Sequence, residues 1–173
     1  PITLTAADTK TRTLTGRIVT WGEEGFTSAG KTIFAKDSIT IPKNVKLLLE
    51  HDRTRPIGKL VSYEVTDSGI EASFKIAGTI AGDDSLLEAA EGLRDGFSVG
   101  IKLNEWDNKD GAMVISSSQM IETSLVTDPA IDSARVTEVA ATETEISEST
   151  DSDTKTEGED LVSETAPESV TTE

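Results

Sequence analysis

Between residues 13 and 126 the apolar residues fall in short runs, rich in β-branched side chains and closed by Gly, Pro or Asp-Gly, and only one stretch repeats at helical spacing. Such a pattern folds into antiparallel sheet, because each run is long enough for a strand and too short for a helix. Residues 13–21 read as the first strand, with Gly22, Gly25 and Gly30 marking turns after it. Residues 32–41 are expected to be extended up to the interruption at Pro42, and 45–50 to form a short buried strand. Residues 57–65 and 69–76 alternate apolar and polar side chains around Asp67-Ser68-Gly69, which predicts a hairpin. Residues 97–106 and 112–126 predict two more strands joined by a turn at 107–111, and Pro129 ends the last.

The helical stretch follows Ser85. Ser85 and Glu88 have capping-box spacing, Leu86, Leu87, Ala90 and Leu93 fall at helical intervals, and Gly96 is a C-terminal stop. The strands lack a βαβα rhythm, so a barrel or sandwich is expected rather than a doubly wound sheet.

Composition divides the chain. All aromatic residues precede Glu138, whereas residues 138–173 are almost entirely Glu, Asp, Ser, Thr, Ala and Val, with Lys155 the single basic residue. That segment cannot bury enough apolar surface to offset the entropy of ordering it. The expected organisation is a loosely ordered arm at 1–12, a folded domain at 13–137 and a disordered acidic tail at 138–173, which serves as a spacer or as a scaffold or docking segment.

A net charge of −16 in 173 residues argues against nucleic-acid binding, which draws on Lys and Arg. The absence of cysteine excludes disulfides and thiolate metal sites. Asp83-Asp84 and Asp151-Ser152-Asp153 lack the regular ligand loop of a cation site, so no metal and no cofactor are expected. No apolar stretch reaches transmembrane length, the N-terminus has no secretion-signal pattern, and Pro1 reads as the residue after a removed Met or as the start of a fragment.

Three residues invite a chemical reading, each beside a plainer one. His51 is the only histidine, so any Ser-His mechanism in this chain must use it; it stands at the end of an apolar strand. Ser98 lies in Gly96-Phe97-Ser98-Val99-Gly100, a G-x-S-x-G pattern. An α/β-hydrolase is excluded, since here a helix precedes the serine, a strand follows it, and His51 comes first. The glycines would still let a substrate backbone approach, and the Val99 or Gly100 N–H would face an oxyanion. On the pattern alone, Ser98 as the mere start of a strand is the commoner case. Glu122, in an otherwise apolar strand, is either an acid that orients the histidine or a solvent-facing side chain.

Together the motifs point further. Leu48-Leu49-Glu50-His51-Asp52, Pro56-Ile57-Gly58, Gly96-Phe97-Ser98-Val99-Gly100 and Glu122-Thr123-Ser124-Leu125-Val126 with Pro129-Ala130, in this order, resemble the prohead (capsid maturation) serine proteases of tailed phages. The likeness covers roughly residues 13–136. It implies a mainly β fold like that of the herpesvirus assemblins, a β-barrel with surrounding helices. It also implies His51 as base, Ser98 as nucleophile and Glu122 as orienting acid. The substrates it implies are the scaffold segment of the major capsid protein and the chain's own tail, cut inside the procapsid in the host cytoplasm; a homodimer is left open. A protease-like internal scaffold without catalysis is the competing reading.

Overall fold

A computed structural model describes residues 3–4 and 11–140. These residues form one eleven-stranded sheet, curled into a half-barrel, and a single helix. In chain order the elements are β1 (Thr3–Leu4), β2 (Thr13–Thr20), β3 (Glu24–Thr27), β4 (Gly30–Phe34), β5 (Ile39–Thr40) and β6 (Lys46–Leu49). Then come β7 (Asp52–Val65), β8 (Gly69–Ile76), α1 (Ile80–Ala90), β9 (Gly96–Lys109), β10 (Ala112–Val126) and β11 (Val136–Ala140). The mainly β expectation holds, and β7–β8 is the predicted hairpin.

The sheet is organised around β10. One edge of β10 pairs antiparallel with β9 from end to end. Its other edge takes three short parallel partners in turn: β4 at Met113–Ile115, β5 at Ser118–Gln119 and β6 at Glu122–Leu125. The β9–β10 loop is only Asp110-Gly111, both at positive φ. That is the two-residue hairpin turn whose twist matches its strands, so residues 107–109, expected in a turn, belong to β9.

The core is a cluster of buried side chains drawn from most of the strands and from the helix. Leu14 and Ile18 of β2, Leu47 of β6, Ile57 of β7, Phe74 of β8, Phe97 of β9 and Leu125 of β10 are all essentially inaccessible. The Phe74 and Phe97 rings meet with centroids 5.4 Å apart. At ~25 cal/mol per Å² of apolar surface removed from water, each of these side chains contributes on the order of 2 kcal/mol.

The helix differs from the sequence expectation. Its N-cap is Thr79, in extended conformation, whose hydroxyl accepts from the Gly82 N–H. Ser85 is mid-helix and donates to the Ala81 carbonyl instead. The Ser-x-x-Glu spacing misled because a serine hydroxyl bonds a backbone carbonyl one turn back as readily as it caps. The helix also stops before Gly96. Gly92 takes the left-handed conformation, with Gly92 N–H bonding Ala89 O and Leu93 N–H bonding Glu88 O, a Schellman ending. Leu87 and Leu93 are therefore exposed, while Leu86 and Ala89 pack inward. Gly25 is a strand residue of β3 rather than a turn.

β11 pairs with β2, and β1 with β11, which carries regular structure to Ala140. The strand crosses the compositional boundary because Val139 and Ala140 are buried against the sheet. The rest of the acidic segment, including Asp151-Ser152-Asp153, lies outside the described residues. Asp83 is ion-paired with Arg12.

Candidate active site

β9, β10 and the β6–β7 turn each deliver one candidate residue to the same place. In the β9–β10 register Ser98 faces Ser124 and Gly100 faces Glu122. Side chains two apart on a strand share a face, so Ser98, Gly100, Glu122 and Ser124 all lie on one side of the ladder. Across the other edge of β10, Leu49 pairs with Leu125, and the chain leaving Leu49 turns at once through Glu50 and His51. One strand therefore sets all three positions.

The result is a chain of hydrogen bonds. Ser98 Oγ lies 2.9 Å from His51 Nε2, and His51 Nδ1 lies 2.7 Å from Glu122 Oε1. The second carboxylate oxygen, Oε2, accepts from Ser124 Oγ at 2.7 Å. Ser124 Oγ in turn accepts from the His51 backbone N–H at 3.0 Å. Glu122 is only 8% exposed, so its solvent-facing reading is set aside; both oxygens are bonded, as a buried carboxylate requires. The hydrogen bond to Glu122 holds the His51 pKa above its ordinary value, with burial opposing and the Glu122 and Glu50 charges adding to the rise.

His51 does not end a strand, as its place after an apolar run implied. Glu50 and His51 form the two-residue turn between β6 and β7, with φ of 48° and 59°. Side chains of their size adopt that left-handed conformation only when the surroundings impose it. Here each group of the turn is held. The Glu50 N–H bonds Leu125 O, the His51 N–H bonds Ser124, and the Glu50 carboxylate receives Arg94 Nη1 at 2.7 Å and the Thr127 N–H at 3.1 Å. Arg94 also donates to Glu88 at the end of α1, tying helix to turn.

The two glycines around Ser98 have separate steric causes. A Cβ at Gly96 would overlap the Pro129 ring, and one at Gly100 would overlap the Glu122 carboxylate. Their backbone groups also differ. Phe97 N–H bonds Ala134 O, away from β10. Alternation along a strand then turns the Val99 N–H outward too, while the Gly100 N–H faces β10.

Ser124, Glu50 and Arg94 were not singled out from the sequence. Ser124 carried a usable signal, since it stands two residues from Glu122 and so shares its face. Arg94 and Glu50 carried none, because their pairing spans 44 residues. Ser98 and His51 stand beside a cleft of about 820 Å³. Among the described residues no cluster of three His, Cys, Asp or Glu side chains forms a metal site.

Two comparisons bear on this arrangement. The sequence profile of a family described as caudovirus prohead serine protease matches residues 3–151. The prohead protease of Escherichia phage T5 is 30% identical over 90 residues, which cover 50% of this chain and 42% of that protein. The match thus spans less than half of the relative's length.

Proposed function

This chain belongs to the family of caudovirus prohead serine proteases, and we propose that it is a serine endopeptidase of phage head maturation, acting within the procapsid in the host cell. The observation that carries this reading is the continuous link from Ser98 through His51 to Glu122, at 2.9 and 2.7 Å. A serine hydroxyl is a weak nucleophile until a neighbouring base takes its proton, and a base works well only when a third group fixes its tautomer.

In the proposed cycle His51 Nε2 accepts the Ser98 proton as Oγ attacks a peptide carbonyl. Glu122 accepts from the Nδ1–H and stabilises the imidazolium that forms. In this cycle the oxyanion is received by the Val99 N–H, and Gly100 contributes by leaving room for Glu122. His51 then returns the proton to the leaving amine, and water, activated in the same way, releases the acyl group from Ser98.

The substrates proposed are the scaffold segment of the capsid protein and, secondarily, this chain's own acidic segment. The test is co-expression with the capsid protein, read by intact mass, alongside labelling by a fluorophosphonate. Wild type should label at Ser98 and trim its partner, and Ser98→Ala should do neither. Trimming that persists with Ser98→Ala in a protease-deficient host would sink the proposal. Absence of both labelling and trimming in wild type would favour the scaffold role.

A further inference from the structure

The cleft beside Ser98 has a composition that none of the comparisons addresses. Part of its wall is apolar: Phe26, Phe34, Ile101, Met113, Pro129 and Ile131 converge on it from β3, β4, β9, β10 and the segment after β10. Phe34 and Ile131 are buried as part of the core, whereas Phe26 is 68% exposed. Its ring forms one wall of the cleft, with Lys31 Nζ 5.7 Å from the ring centroid.

Charge on the cleft is one-sided. Four carboxylates line it, of which Glu24 is paired with Lys31 and Glu50 with Arg94. Asp128 and Asp132 are exposed and, among the described residues, no cation pairs with either. Arg135 donates through Nε to the Asp132 backbone carbonyl rather than to its carboxylate, and two carboxylates without an ion-pair partner beside an apolar wall repel an acidic segment and attract a basic one.

The backbone needed to hold a substrate is also present. Apart from one bridge between Gly96 and Arg135, β9 pairs only with β10 among the described residues, so its outer edge beyond Ser98 carries no strand partner. The Val99 N–H is directed there, and an extended peptide can add to such an edge as one more strand.

We propose that the site selects an extended segment with a bulky apolar side chain, seated in the Phe26–Met113 cleft, next to a basic residue that meets Asp128 and Asp132. This rests on the protease reading for what becomes of the bound segment, though not for the binding itself. It has a consequence for the acidic tail. The large aliphatic side chains there are few, Ile146 follows Glu145, and Leu161 follows Asp160, so the tail is a slower substrate than a mixed-charge partner.

Binding is measured by fluorescence anisotropy with the full-length Ser98→Ala chain and labelled decapeptides. One carries Leu beside Lys at its centre, a second Leu beside Glu, a third Ser beside Lys. The first should bind about tenfold more tightly than either of the others, the scale on which a pocket discriminates a missing apolar group. Phe26→Ala, at a position too exposed to matter to the core, should erase most of the preference for Leu over Ser. Equal affinities, a preference for Glu, or no binding of any peptide would overturn the inference. Fluorophosphonate labelling of the wild type tests the chemistry separately, so its failure would leave the binding result intact.

Discussion

Gly100 and Glu122 face each other across the β9–β10 ladder, and the carboxylate that reaches His51 occupies the space a side chain at position 100 would fill. Gly100→Ala should therefore displace the acid rather than disturb the strand. The expected result is a fall in the rate of peptide cleavage of about 10- to 100-fold. Overpacking should cost about 1–3 kcal/mol of stability, read from urea unfolding. A full-rate Gly100→Ala enzyme would show that Glu122 does not orient the histidine.

Ser124 is completely buried and bridges the His51 backbone to Glu122. Ser124→Ala leaves the His51 N–H and one carboxylate oxygen without that partner, at a cost of about 1–3 kcal/mol. Cleavage should slow by roughly tenfold, since the groups that react remain while their alignment loosens. The acidic limb of the pH profile should also move to lower pH, because a loosened Glu122 raises the His51 pKa less; a slower enzyme with an unshifted limb would assign Ser124 to packing alone.

The pH dependence follows from His51. The base acts in its neutral form, and Glu122 favours the charged one, so the acidic limb of the rate profile should lie above the ordinary histidine range. Glu122→Gln should move that limb to lower pH while lowering the plateau rate. The same pair affects stability in the opposite sense. Because the folded pKa is raised, its contribution is present in full below the unfolded value and is lost as pH rises through the folded one. A limb that stays in place in Glu122→Gln would remove Glu122 as the cause.

Arg94 holds the Glu50-His51 turn from outside the reacting atoms. Glu50 is 41% exposed, so solvent screens the pair and Arg94→Ala should cost at most about 1 kcal/mol of stability. Cleavage should nevertheless fall several-fold, through the rate constant more than the substrate affinity, because the left-handed turn loses a restraint. Unchanged kinetics would assign Arg94 to the helix end alone.

The helix start offers a control. Thr79→Ala should cost about 1 kcal/mol as a lost N-cap. Ser85→Ala should cost less, since its hydroxyl only doubles a bond within the helix. Thermal unfolding of the two variants decides between the positions.

Much of this could be read from the residues in order. Alternating runs and Asp-Gly or Asp-Ser-Gly breaks marked the strands of the β7–β8 and β9–β10 hairpins, because both strand period and turn chemistry are local. The helix was legible as a helix and misplaced at both ends: Thr79 caps it through its hydroxyl where Ser85 has the same capping spacing, and Gly92 ends it by a left-handed backbone four residues before Gly96. His51 stood out through being the sole histidine, and Ser98 through its glycines.

What the sequence by itself determined is the inventory and its scaffold: strands of a given length, one base, one serine between glycines, and an acid among apolar neighbours. Whether those groups meet was decided only by the fold. Ser98 lies 47 residues from His51 and Glu122 lies 71 from it, and their approach depends on β10 pairing with β9 on one edge and β6 on the other. Register along a strand has a period of two, so a slip of one residue would turn Glu122 and Ser124 to the opposite face. That register is set by the burial of Leu47, Phe97 and Leu125 together, a condition on three distant segments that no local pattern encodes.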